Sequence, residues 1–96
     1  IADIADSVTE LSTVSGLKAY PNPTSGELQI ECALHQSGLV NLTLYGLDGK
    51  IVTSETRALS SGTNRLSLDL GNLQSGVYTL SLQVGQTTLQ QLVVKL

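Results

Sequence analysis

Lys18-Ala19-Tyr20-Pro21-Asn22-Pro23-Thr24-Ser25-Gly26-Glu27-Leu28-Gln29-Ile30 sets two prolines and a glycine between two apolar segments. Each proline holds its own φ at about −65° and drives the residue before it, Tyr20 or Asn22, toward extended backbone. Gly26 is free to take a positive φ and finish a turn. The stretch reads as a strand that is broken and redirected into a second strand, and it marks where a domain begins.

Downstream of that turn the hydrophobic period is two. Along residues 27–34, Leu28, Ile30, Cys32 and Leu34 fall on one side and Gln29, Glu31 and His35 on the other, the pattern of a half-buried strand. Similar runs occupy 17–20, 39–45, 50–56, 63–70, 77–84 and 87–96, with turn residues at the spacing typical of a β-sandwich. Val40, Leu42 and Leu44 point inward, as do Leu66, Leu68 and Leu70, and Tyr78, Leu80, Leu82 and Val84. Gly46-Leu47-Asp48-Gly49 is a hairpin signal, since Asp48 and Gly49 both tolerate positive φ, and Gly85-Gln86 makes another turn. The expected fold is all-β: a seven-stranded, immunoglobulin-like antiparallel β-sandwich. In the last run Leu89 is out of phase with Leu92, Val94 and Leu96. Either a β-bulge at Gln90-Gln91 turns both groups inward, or Leu89 packs at the sheet end. On this reading Leu92 and Val94 join the core and Lys95 points to solvent.

Residues 1–16 differ from the rest. Asp3, Asp6 and Glu10 alternate with small and hydroxyl residues, and Gly16 closes the segment. A short helix fits Ile1, Ile4, Val8 and Leu11 on one face, but so short a helix is marginal in isolation. The segment reads as a mobile linker, 1–16, before a domain at 17–96. With Ile1 in first place and no charged, apolar leader, the chain reads as a piece of a longer protein whose targeting signal lies elsewhere.

Ninety-six residues make one small domain. Phe, Trp and Met are absent, so its core must be built from Leu, Val and Ile with a few of the three tyrosines. A net charge of −3 and so few aromatics exclude nucleic acid as a partner. No apolar run approaches the roughly 20 residues that span a bilayer as a helix. Cys32 is the only cysteine, so no disulfide forms within the chain, and the redox compartment stays open.

Catalytic chemistry finds little to work with. The one histidine, His35, sits at a strand end on the polar side, without a nucleophile or orienting group beside it. Cys32 shares the inward parity of Leu28 and Ile30, where a cysteine is a small hydrophobe rather than a thiolate. Asp3, Asp6, Asp48 and Asp69 are scattered, no His/Cys pair has ligand spacing, and neither metal nor cofactor is expected. Glu27 and Glu31 lie on a solvated face, and Asp48 is a turn residue. Asn41-Leu42-Thr43 fits an N-glycan acceptor pattern, and Asp6-Ser7-Val8 resembles a bacterial O-glycan acceptor.

Pro21-Asn22-Pro23-x-x-Gly26-x-Leu28-x-Ile30 resembles the opening motif of the C-terminal sorting domains of the Bacteroidetes type IX secretion system. Gly46-Leu47-Asp48-Gly49-Lys50-Ile51-Val52 is similar to the central hairpin of that family. Leu68-Asp69-Leu70-x-x-Leu73-x-x-Gly76-Val77-Tyr78-Thr79-Leu80 resembles its most distinctive block, and Val93-Val94-Lys95-Leu96 its short basic-apolar tail. Many members carry lysines where this chain has Gln90 and Gln91. The resemblance implies a non-catalytic signal that takes a cargo from the periplasm to the outer membrane, cell surface or extracellular space. It also implies an outer-membrane translocon and a sortase-like cysteine protease as partners, with cleavage in the linker and anchoring of the cargo on anionic lipopolysaccharide. Pro21, Asn22, Pro23, Gly26, Gly49, Leu73, Gly76, Tyr78, Lys95 and Leu96 are the candidate recognition residues. Asn22 and Thr24 serve either the machinery or the turn itself, through side-chain to backbone bonds. Leu73 is expected to plug the sandwich end and Gly76 to occupy a left-handed turn. The final strand is the candidate edge for strand addition. The alternatives are a docking module retained in a secretion component, and an adhesive or carbohydrate-binding sandwich, for which only Tyr20 and Tyr45 offer exposed rings.

Overall fold

Strict alternation of Leu, Val and Ile with polar residues produces strands with one buried side, and two sheets then cover those sides against each other. The computed structural model of the protein describes residues 14–96. Its seven strands are β1 (Val14–Tyr20), β2 (Glu27–Leu34), β3 (Gly38–Tyr45), β4 (Ile51–Leu59), β5 (Gly62–Asp69), β6 (Gly76–Val84) and β7 (Thr87–Lys95). They form a three-stranded sheet, β1-β2-β5, and a four-stranded sheet, β4-β3-β6-β7, with every strand pair antiparallel. The result is the expected immunoglobulin-like β-sandwich. The expected helix at Ile1, Ile4, Val8 and Leu11 and the Asp6-Ser7-Val8 pattern lie outside the described residues.

The core forms where the inward parities meet: Leu28, Ile30, Cys32 and Leu34 from β2, Leu66 and Leu68 from β5, Val40, Leu42 and Leu44 from β3, and Leu80, Leu82 and Val84 from β6. Burying each large aliphatic side chain contributes about 1.5–3 kcal/mol, so a core without Phe, Trp or Met holds the two sheets by number. Leu70 closes one end at full burial, with Leu73 and Tyr78 packed partly against the cluster.

Several local expectations change. β1 starts at Val14, which is buried and pairs with Leu34. A register shift between Ser15 and Lys18, with Gly16 at φ 66°, interrupts the alternation and hides those first residues from a period-two reading. β4 continues to Leu59 because Arg57, Ala58 and Leu59 pair with Val40, Leu39 and Gly38. In the β3–β4 turn only Gly49 takes a positive φ, 85°, since no non-glycine among the described residues does. Asp48 instead caps the turn, its carboxylate accepting the Lys50 N–H at 3.1 Å.

The largest correction concerns β7. Its ladder with β6 runs without interruption from Gly76↔Lys95 to Val84↔Thr87, so there is no bulge at Gln90-Gln91. Residues directly opposite each other share a face. Leu82↔Leu89, Leu80↔Gln91 and Tyr78↔Val93 therefore turn Leu89, Gln91, Val93 and Lys95 toward the core. Leu92 and Leu96 point out, 60% and 65% exposed, and Val94 is half-buried. Lys95, expected in solvent, is only 8% exposed. Its stem packs inside while the ammonium donates to the main-chain oxygen of Leu96 at 3.0 Å.

Candidate functional site

The turn at 21–26 is closed by Thr24. Its hydroxyl oxygen accepts the Gly26 N–H at 3.1 Å and its O–H donates to the Glu27 carbonyl at 2.7 Å, so a fully enclosed threonine has every polar atom engaged. Gly26 is not in the positive-φ region, contrary to the expectation for it. With the threonine hydroxyl closing the turn, no left-handed residue is required there. The Tyr20–Pro21 and Asn22–Pro23 peptide bonds are both cis.

Asn22 does something else. Its side-chain N–H donates to the Leu92 carbonyl at 2.8 Å and its side-chain oxygen accepts the Val94 N–H at 2.9 Å, so one amide side chain occupies the place of a neighbouring strand on β7. Two residues later the backbone takes over. The Thr24 N–H donates to the Val94 carbonyl and the Leu96 N–H to the Thr24 carbonyl, both at 2.9 Å, as a short parallel bridge to Lys95. The outer edge of β7 from Leu92 to Leu96 is thereby covered. Strand addition there, expected from sequence, would first have to displace Asn22 and Thr24.

The other motifs arrive at the same end. The Leu70 N–H donates to the Gly26 carbonyl at 2.8 Å, and an added Cβ on Gly26 would stand 3.8 Å from the Gly71 Cα, so the two loops run side by side. Asp69 accepts the Gly71 N–H at 2.8 Å, the Leu73 N–H bonds the Leu70 carbonyl at 3.0 Å, and the Tyr78 hydroxyl donates to the Gln74 carbonyl at 2.7 Å. Leu73 does pack at the sandwich end. Gly76 does take a positive φ, 158°, that L side chains rarely adopt, but it opens β6 opposite Lys95 rather than sitting in the left-handed turn expected of it. Register puts Tyr45, the last residue of β3, beside Thr79, and Thr79 beside Leu92. The Gly46–Gly49 turn therefore lies at this end as well. Pro21, Asn22, Pro23, Gly49 and Leu96 are exposed, Gly26, Leu73, Gly76 and Tyr78 are half-buried, and Lys95 is buried.

The chemistry-bearing residues stand apart from this end or from each other. Cys32 is 1% exposed, and burial pushes its thiol pKa up, away from a thiolate. His35 lies exposed after β2. Arg65 reaches Glu31 at 3.5 Å across β2 and β5. Asn41 is exposed in mid-strand, its side-chain oxygen accepting the Thr56 hydroxyl at 2.8 Å. Tyr20 and Tyr45 belong to different sheets and make no common aromatic platform. Thr24 closes the turn by side-chain to backbone bonds, as its sequence position suggested; what sequence reasoning missed is its full burial and the reach of Asn22 to β7. Asn22 bonds residues about seventy positions away, and nothing local signals such a partner.

The family model of the secretion system C-terminal sorting domain matches residues 18–95, from the strand before the proline turn to the last residue of β7. The chain belongs to that family. Sorting-domain members are C-terminal signals for type IX secretion and are in general non-catalytic, and the route they serve leads to the outer membrane or the cell surface. In this sorting domain the four stretches that resemble family motifs are brought to one end of the sandwich by strand register.

Proposed function

We propose that this domain is the export signal of a cargo protein and is read in its folded state, at the end where the motifs meet. The observation that carries the proposal is the clasp: Asn22 and Thr24, from the first motif, hold β7 at Leu92, Val94 and Leu96, in and beside the last motif. A linear signal has no need to join its two ends. A folded one does.

On this reading Pro21, Asn22, Pro23, Gly49 and Leu96 are available to direct contact, while Gly26, Leu73, Gly76, Tyr78 and Lys95 act by shaping the surface. The partner is an outer-membrane translocon that meets the domain on the periplasmic side. A sortase-like cysteine protease then cuts in the linker that the sequence places at residues 1–16, on the N-terminal side of Val14 where β1 begins, and the cargo is anchored at the cell surface. The domain itself performs no catalysis.

The test fuses residues 1–96 to a periplasmic reporter in a type IX-secreting Bacteroidetes strain. Delivery to the surface or medium is expected, and retention in the periplasm overturns the reading. Asn22→Ala is expected to lower delivery more than a stability-matched core variant. If the two fall equally, the clasp serves folding and not recognition.

A further inference from the structure

The sandwich leaves β4 open. Among the described residues it pairs only with β3, and no strand lies along its other side. An open edge on a nine-residue strand, where alternate residues present free N–H and C=O groups, is a template for another strand. Its core-facing side carries charges of opposite sign two residues apart: Glu55 is opposite Leu42 and Arg57 opposite Val40, both buried. The two side chains are 32% and 39% exposed and form an ion pair along the strand.

We propose that β4 is a self-association edge that pairs antiparallel with β4 of a second copy of this chain, about a two-fold axis at Thr56. In that register Glu55 faces Arg57 of the partner subunit, Arg57 faces Glu55 of the partner subunit, and Thr56 faces its own equivalent. Such an interface is isologous, using the same patch on both copies. Shifting it by one step while keeping core-facing residues together sets Glu55 against Glu55 or Arg57 against Arg57. Centring on Thr56 alone sets opposite charges against each other. Inward charges of one sign would shut an edge strand against company; the alternation Glu-Thr-Arg instead makes this edge complementary to itself.

On β7 and β5 the case is weaker. β7 is covered by Asn22 and Thr24 from Leu92 to Leu96. On β5, Arg65 is directed out of the sandwich and reaches Glu31 on the neighbouring strand. Like Glu55 and Arg57, that pair closes within one copy, but Arg65 is 72% exposed and stands on the solvent side of its sheet, where water screens it.

The experiment is sedimentation of the 96-residue chain over a concentration series, with folding followed by circular dichroism. The wild type is expected to shift with concentration toward twice its 10.1 kDa mass. Glu55→Arg and Arg57→Glu are each expected to stay monomeric, and an equimolar mixture of the two to recover the dimer, because each then supplies the charges the other lacks. A wild type that stays monomeric throughout overturns the proposal, as do single variants that dimerise like the wild type or a mixture that does not recover. Register has its own readout that survives poor folding of a charge variant. Thr56→Cys is expected to form an oxidised dimer, since opposite Cβ atoms lie about 4.5–5.5 Å apart, whereas Ser54→Cys is not. The buried Cys32 does not compete. Equal cross-linking by both variants counts against the two-fold at Thr56.

Discussion

Thr24 and Cys32 show how burial changes what a small polar side chain does. Thr24 is 1% exposed, and its hydroxyl is both acceptor and donor in the turn. Thr24→Val keeps the volume but strands the Gly26 N–H and the Glu27 carbonyl, so denaturant unfolding is expected to show a loss of about 1–3 kcal/mol. Thr24→Ser keeps the hydroxyl and should lose less. Cys32 is a proton-linked case. Because burial raises its folded pKa, the folded chain retains a thiol proton that the unfolded chain releases. Its contribution to stability is full below the unfolded thiol value of about 8.5 and is lost as pH rises through the folded value. Midpoints of denaturation should therefore fall as pH rises above about 8.5. Cys32→Ala should flatten that fall while lowering stability at every pH.

At the scale of the element, β7 separates a period from a register. Leu92 is outward and Val93 fully buried. Leu92→Ala is expected to change stability by no more than about 0.5 kcal/mol, whereas Val93→Ala should cost roughly 1–3 kcal/mol from lost apolar burial. Equal costs in thermal melts would mean that β7 is shifted by one residue. The β3–β4 turn gives a backbone counterpart. A Cβ on Gly49 would meet nothing within 4 Å, so Gly49→Ala pays only for its φ of 85°, about 1–2 kcal/mol. β2 was legible throughout, because its four inward residues are all apolar and two of the three residues between them are polar. β7 was not, because Leu89, Leu92, Val93, Val94 and Leu96 put apolar residues on both parities, and sequence alone offers no reason to choose the side that includes a lysine.

Across the whole molecule the two sheets share one core, with Leu28 from the three-stranded sheet and Leu80 from the four-stranded sheet both at 0% exposure. Neither sheet has a second layer to fall back on among the described residues. Leu28→Ala and Leu80→Ala should each cost about 2–5 kcal/mol through the cavity left behind, and each should lower one common transition. Far-ultraviolet circular dichroism and tyrosine fluorescence are the check: Tyr20 reports on one sheet, Tyr45 and Tyr78 on the other. Separate midpoints for the two signals would contradict a single cooperative core.

The order and inward parity of β2, β3, β5 and β6 were written in the chain, because a half-buried strand needs apolar residues at every second position and this sequence supplies them. The turns at Gly46–Gly49 and Gly85-Gln86 were written there too, since few other residues accept a positive φ. What tertiary structure decided was which ends meet. The Asn22 amide, the Thr24 backbone, the Gly26 carbonyl and Lys95 acquire their roles only when the 21–26 turn lies against β7 and the loop after β5. Hydrogen bonds between residues seventy positions apart leave no periodic trace, because hydrophobic alternation reports the face a residue takes and not the neighbour it finds.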